Sequence, residues 1–188
     1  MRRRGGIKVR GADVKYELTV SFLDAAKGTT LPVDMTSGNR LEVRVPPGTR
    51  DGQVLRLQGQ GISGMGGGAD GDALVEVRVE TDDRFRRDGD DIHIQAFVTL
   101  PEAVLGAFIQ VPTIDSLVSV SVPTGANTGT QLRLKGRGLA NGSVGRGEQF
   151  VTLNVILPDK PDAEFVDFIR TWSEDHAYQV RRRTTGGD

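Results

Sequence analysis

Residues 43–61 of this chain read VRVPPGTRDGQVLRLQGQG, and residues 120–138 read VSVPTGANTGTQLRLKGRG. The two stretches are identical at ten of nineteen positions, with one proline and four glycines in register. Valine-rich strands that resemble each other by chance do not keep such turn residues in register. We therefore infer that the chain contains two copies of one structural module.

The similarity continues on both sides of this stretch. Residues 13–28 align with residues 91–106 at an offset of 78 through their apolar pattern, and residues 71–75 align with 147–151 at an offset of 76. The alignments predict a first module over residues 11–88 and a second over residues 89–158. What remains is predicted as a C-terminal helix over residues 159–178, with flexible tails over 1–10 and 179–188.

Strands dominate the predicted secondary structure. Apolar and polar side chains alternate, as around Leu41, Val43 and Val45, and this period of two is typical of half-buried strands. Each copy also has a short helical turn, over residues 23–27 and 101–105, which ends at Gly28 or Gly106. The sequence therefore predicts a mostly β protein: two tandem homologous β-sandwich or barrel-like domains, each with one short helix, followed by a C-terminal amphipathic helix.

The C-terminal helix presents an apolar stripe. Its members recur at helical spacing within a helix predicted over residues 161–176: Phe165, Phe168, Ile169 and Trp172. Because short isolated helices are marginal in water, this one must pack on a surface. The second β module of the same chain is one possible surface.

Composition excludes several classes of protein. The 188 residues include 24 basic and 25 acidic side chains, so the net charge of −1 leaves no broad basic surface for nucleic acid. The absence of cysteine excludes disulfides, thiolate catalysis and cysteine-based zinc sites. No segment approaches the roughly 20 apolar residues of a membrane-spanning helix, and no apolar run follows the basic start as in a signal peptide. We expect a cytoplasmic protein with no membrane contact.

The motifs that suggest catalysis or cofactor binding are weak. Residues 59–64 satisfy GxGxxG but open no helix, so the phosphate site at a helix N-terminus is missing. Residues 88–91 read DGDD and lack the ligand spacing of a calcium loop, which favours a polar turn between the modules. His93 and His176 are the only histidines. We expect no metal, no cofactor and no enzymatic activity.

The repeated pattern, the junction FRRDGDD at residues 85–91 and the sequences AVLG at 103–106 and VPT at 111–113 resemble the C-terminal substrate-binding region of DnaJ-type co-chaperones. The resemblance covers residues 11–176. It implies two tandem β domains, a C-terminal helix that pairs with that of a second subunit to form a homodimer, and binding of unfolded polypeptide clients for delivery to a DnaK-type ATPase chaperone.

The chain departs from that family pattern in three places. It contains no His-Pro-Asp triplet, so the J domain that stimulates the partner ATPase is missing from it, and it has no CxxCxGxG repeats. It therefore resembles the zinc-free, curved-DNA-binding-protein-like subtype. Residues 31–35 read LPVDM without a lysine, so the lysine contact that some relatives make with an acidic chaperone tail is not expected.

The resemblance implies a peptide-binding groove between the first two strands of the first module. It corresponds to Tyr16, Leu18, Val33 and Met35, with Phe85 nearby. At an offset of 78, the four strand residues correspond in the second copy to Ile94, Ala96, Val111 and Thr113. At three of the four positions the first copy has the larger or more flexible side chain. Two other interpretations of these residues and of client binding remain. These side chains can be ordinary core residues, and a client can instead add a strand at an exposed sheet edge.

Two alternative functions remain at this stage. The zinc-free branch includes a DNA-binding member, so a nucleoid or curved-DNA-associated protein is possible, although the balanced charge argues against nucleic acid. A tandem β binding module unrelated to chaperones is the other alternative. A carbohydrate-binding version would need aromatic platforms, and the chain has one Trp and two Tyr.

Overall fold

The computed structural model describes residues 7–36, 38–142 and 145–181. Strands make up 42% of the described residues and helices 15%, which confirms the predicted fold class. The tails predicted at residues 1–10 and 179–188 lie largely outside the described residues. Val9 already donates to the carbonyl of Met65 at 3.0 Å, so paired structure begins before residue 11.

The first copy of the repeat forms two small sheets around one core. Its elements are β1 (Val14–Val20), α1 (Phe22–Lys27), β2 (Thr29–Asp34), β3 (Arg40–Val45), β4 (Val54–Leu57) and β5 (Ala73–Val79). A three-stranded sheet has the order β1-β5-β4, with β1 parallel to β5 and β4 antiparallel to it. The β2–β3 hairpin is a separate antiparallel pair.

The second copy repeats this plan with additions. Its elements are β6 (Arg86–Asp88), β7 (Asp91–Thr99), α2 (Leu100–Leu105), β8 (Ala107–Pro112), β9 (Leu117–Val122), β10 (Gln131–Leu134), β11 (Ala140–Asn141), β12 (Gly145–Arg146) and β13 (Gln149–Ile156). The sheet order is β10-β13-β7-β6, and β8 pairs with β9. Strand β6, which the sequence places in the first module, pairs with β7 of the second.

Two glycines that the copies share, Gly61 and Gly138, allow the same close backbone contact in each module. A Cβ on Gly61 would lie 2.7 Å from the carbonyl oxygen of Ala12, and one on Gly138 would lie 2.6 Å from that of Asp90. Only glycine permits this backbone approach, which packs the loop before β5 or β13 against the entry to β1 or β7. The glycines that align between the two copies therefore make the same backbone contact in both modules.

A buried carboxylate in the first module explains the arginine of the repeated LRL sequence. Asp72 accepts hydrogen bonds from the amide of Gly59 at 2.8 Å and from Nε of Arg56 at 2.8 Å. The Gly59 amide and the Arg56 guanidinium lower the pKa of the Asp72 carboxyl. In the second module Arg133 pairs with Glu148 in the same way. The arginine thus anchors the strand before the loop to the strand after it.

The two modules share part of their cores. Phe22 and Ala26 of α1 and Phe85 of the following loop pack into the second module's core, and the Phe22 and Phe85 rings stack at 5.7 Å. The guanidinium of Arg87 donates to the carbonyls of Thr49 at 2.9 Å and Gly48 at 3.2 Å. Apolar packing and a half-buried cation therefore join the modules.

The predicted C-terminal helix is α3 (Ala163–Asp175). Asp162 caps it, because its side chain accepts from the amide of Phe165 at 2.8 Å. None of its residues is buried. Within the described ranges, no helix is long and apolar enough to cross a membrane.

Candidate binding surfaces

The structure brings four of the five predicted groove residues together in the core of the first module. Leu18, Val33 and Met35 are only 7 to 8% exposed, and Tyr16 is half-buried beside them. Phe85 is 4% exposed and lies apart from these four, in the core of the second module. The cleft between β1 and β2 is therefore filled by its own side chains.

The outer edge of β1 is unpaired. Val14 donates to the carbonyl of Asp72, and Val20 accepts from Glu80, so these residues direct their backbone groups toward β5. Because backbone direction alternates along a strand, the N–H and C=O groups of Lys15, Glu17 and Thr19 point to the opposite edge. No strand among the described residues pairs there. This edge can accept an added strand.

None of the described strands pairs with the outer edge of β2 either, but this edge is poorer in donors. The amide of Met35 donates to the carbonyl of Asn39 at 2.8 Å, toward β3. By alternation, Thr30, Pro32 and Asp34 direct their backbone groups outward. Proline has no N–H, so only Thr30 and Asp34 offer donors at this edge. Of the two edges that flank the predicted groove, β1 offers the unbroken row of donors.

Two phenylalanine side chains are exposed on strands of the second module, where the sequence predicted no site. Phe97 on β7 is 68% exposed and Phe108 on β8 is 78% exposed. Their first-module equivalents are Thr19 and Thr30. Extending the offset of 78 along the whole strand would have revealed this difference. The four groove positions do not include these two phenylalanines, so the groove prediction did not identify them.

A cavity of about 640 Å³ lies beside this exposed surface. Its lining includes Arg84, His93, Gln95, Phe97 and Thr152. The imidazole of His93 stacks on Phe150 at 5.2 Å. The second module therefore has an open concave surface with mixed aromatic and polar lining.

The outer sheet faces of the two modules also differ in charge. In the first module Arg78 bridges Glu17 at 3.3 Å and Glu76 at 2.9 Å. In the second module the equivalent positions are neutral, and Asn154 donates to Gln95 at 3.3 Å. Duplicated strands thus present an ion-paired face in one module and a neutral face in the other.

The apolar stripe of α3 is uncovered. Phe168 is 60% exposed, Trp172 41% and Ile169 38%, and Phe165 is half-buried. Trp172 stacks on His176 at 4.8 Å, a contact at the helix's own end. Neither β module covers the stripe in the part of the chain that the structure describes.

The described residues contain no group of three or more metal-ligating side chains that could hold an ion. The acidic residues 88–91 form the turn between β6 and β7. There, Asp90 accepts from Arg50 at 3.3 Å and from Asn141. These contacts give the carboxylate a structural role at the module junction.

A duplicated β module with open strand edges, a shared junction core and a trailing amphipathic helix defines a class of tandem β proteins. This chain belongs to the DnaJ C-terminal domain family: the family model described as "DnaJ C terminal domain" matches residues 8–158. The family suggested by the repeated pattern is thereby confirmed.

Curated relatives carry two kinds of name. "Chaperone protein DnaJ" of Halorubrum lacusprofundi is 42% identical over 71% of this chain and 35% of its own length. The protein of that name from Deinococcus proteolyticus is 41% identical over 86% of this chain and 50% of its own length. "Curved DNA-binding protein" of Coxiella burnetii is 33% identical over 97% of this chain and 62% of its own length. The chain thus spans between about a third and three fifths of these relatives.

Proposed function

We propose that this chain binds unfolded or misfolded polypeptides as the client-binding part of a DnaJ-type co-chaperone, for delivery to a DnaK-type ATPase chaperone. The observation that carries the proposal is the unpaired outer edge of β1 above an apolar cluster, in a chain of this family. Relatives named as DnaJ chaperones support the chaperone role.

Strand addition suits clients of unrelated sequence. An extended client segment can pair its backbone with Lys15, Glu17 and Thr19, because hydrogen bonds of this kind do not depend on side-chain identity. Leu18, Val33 and Met35 lie beneath the cleft and would supply apolar contact to a client once the cleft opens. Methionine adapts to irregular partners, which favours promiscuous capture. Backbone pairing gives the affinity, and the apolar cluster selects unfolded over folded chains.

The uncovered stripe of α3 supports a homodimer. Pairing α3 with the same helix of a second copy would bury Phe168, Ile169 and Trp172, which neither module covers. Two client sites in one dimer raise the effective concentration of one site for a client held by the other.

The proposal is tested by a proline at the β1 edge. The N–H of Glu17 faces the open edge, so Glu17→Pro removes a donor for the client without removing a bond to β5. We expect client affinity to fall by about two- to tenfold, the range of one net hydrogen bond. The readout is binding of a fluorescently labelled, permanently unfolded polypeptide, together with suppression of its aggregation without ATP.

Glu17→Ala is the matched control, since it loses the side chain and its ion pair but keeps the N–H. Circular dichroism and thermal unfolding check that each variant folds, and Thr19→Pro is a second edge variant if Glu17→Pro does not. Equal client affinity for the folded proline and alanine variants would place the site elsewhere.

DNA binding is a second candidate, favoured by the relative named "Curved DNA-binding protein" that aligns with 97% of this chain. The near-zero net charge argues against it. Measuring affinity for duplex DNA at several salt concentrations separates the candidates, because phosphate contacts give a steep decrease with salt.

A further inference from the structure

The apolar cluster beneath the first-module cleft is closed in this structure. Leu18, Val33 and Met35 are 7 to 8% exposed, so a client at the β1 edge cannot reach most of their surface. We infer that the hydroxyl of Tyr16 is a latch that holds the β2–β3 hairpin shut, and that its release admits client side chains to this cluster. The inference rests on the proposed function, because it concerns access to the same site.

The hairpin is fastened to the rest of its module at one polar point. In the part of the chain that the structure describes, strands β2 and β3 pair only with each other. The Tyr16 hydroxyl lies 3.0 Å from Oγ1 of Thr36 and accepts from the Thr36 amide at 3.2 Å. Among the described residues, no other hydrogen bond joins the hairpin to β1, β4 or β5. The remaining attachment is apolar packing.

That packing is tightest at the base of the hairpin. Val43 and Val45 are 0 and 1% exposed, whereas Val33 and Met35, toward the other end, are 8 and 7% exposed. Tyr16 contacts the hairpin at this looser end, through Thr36. Release of the latch would therefore loosen the end that carries Val33 and Met35 while the base stays packed.

The equivalent hairpin of the second module, β8–β9, is attached to its module by different hydrogen bonds and therefore serves as an internal comparison. Nε2 of the fully buried Gln149 donates to the carbonyl of Pro112 at 2.7 Å, which ties the end of β8 to β13 from inside the core. Asp115 in the following turn also accepts from Arg146 at 2.7 Å. The equivalent of Gln149 in the first module is Ala73, which cannot make this bond. The second hairpin is thus held from inside the core as well as at its rim, whereas the hydrogen bonds described for the first hairpin lie at the rim.

Thiol labelling measures the latch without any client. The chain has no cysteine, so Met35→Cys introduces a single thiol beneath the hairpin. Adding Tyr16→Phe removes only the hydroxyl, and we expect labelling of the Met35→Cys thiol to accelerate about two- to tenfold, as loss of one net hydrogen bond predicts. Thr113→Cys, at the equivalent buried position of the second module, should label at the same rate with or without Tyr16→Phe. Unfolding in urea checks that global stability does not explain the change.

Client affinity is the second arm. If only the open form binds, the apparent dissociation constant is the intrinsic one divided by the open fraction, so Tyr16→Phe should tighten binding by the same factor as it accelerates labelling. Unchanged labelling of Met35→Cys would overturn the latch whatever the client does. Faster labelling with unchanged client affinity would overturn the gating role and would also count against the first-module client site. Altered affinity with unchanged labelling would reject the latch and leave the proposed site standing.

Discussion

At the scale of single residues, Asp72 shows how one carboxylate secures a strand end. Its side chain is 7% exposed and receives Arg56, Arg10 and the amide of Gly59. These partners favour the charged carboxylate and lower its pKa. The folded pKa therefore lies below the unfolded value of about 3.9. The stability that Asp72 supplies is present above that unfolded value and is lost as pH falls through the folded one.

We predict that Asp72→Asn lowers the free energy of unfolding at neutral pH. The difference from the parent should shrink as pH falls through the unfolded value of about 3.9 and below it, because a protonated Asp72 no longer contributes. Urea unfolding across this range measures it, with the exposed Asp83→Asn as the control. A difference that does not change with pH would show that packing, not charge, is what Asp72 supplies.

Arg87 stabilises the module junction through hydrogen bonds to backbone carbonyls. Burial lowers the pKa of its guanidinium, yet three carbonyl oxygens, of Gly48, Thr49 and Gly89, accept its hydrogen bonds. We predict that Arg87→Met costs about 1–3 kcal/mol in chemical unfolding, because these partly buried carbonyls lose their donor. The exposed neighbour Arg86→Met should change stability by less than about 0.5 kcal/mol. Equal effects of the two substitutions would contradict this role.

At the scale of elements, sequence periodicity predicted the long strands and α3 but not the additions. Strand β6 has three polar residues, too few for a period to be seen, and it forms because the loop after the first module reaches β7. Of the predicted groove residues, Tyr16 and Leu18 lie on β1, Val33 lies on β2, and Met35 directly follows β2. Whether they are exposed could not be predicted, because an alternating strand looks the same over a groove as over a core. Exposure depends on how the β2–β3 hairpin packs.

The exposed side chains of the second module were missed for the opposite reason. A phenylalanine within a strand pattern is usually taken as buried, yet Phe97 points to solvent on the outer sheet face. Ile94 and Val98 are buried on the inner face of β7, and the half-buried Ala96 between them lies on the same face. Phe97 therefore lies on the outer face. Register, which the structure supplies, decides the face.

The stripe on α3 gives a prediction at this scale. We expect the chain to form a dimer at tens of micromolar, with about twice the mass of 20.3 kDa by light scattering. Phe168→Glu with Trp172→Glu should give a folded monomer of half that mass. Arg170→Glu with Thr171→Glu adds more negative charge on the other side of the helix and should stay dimeric. A monomeric parent chain would reject dimerisation through α3.

At the scale of the whole molecule, the junction core makes the two modules one unit. Phe22 from α1 and Phe85 from the loop lie in the second module's core, which packs the module with the proposed client edge against the module that carries Phe97 and Phe108. A long client could contact both. The chain itself has no His-Pro-Asp triplet. We therefore predict that it leaves the basal rate of a DnaK-type ATPase unchanged, and a stimulated rate in a coupled assay would contradict that.

The most direct test of client binding is amide hydrogen exchange of the chain with and without a bound unfolded polypeptide. We predict new protection at the outward amides of Lys15, Glu17 and Thr19, while the β5-facing amides of β1, already bonded, change little. Protection confined to β7 and β8, or none along β1, would contradict strand addition at the first module.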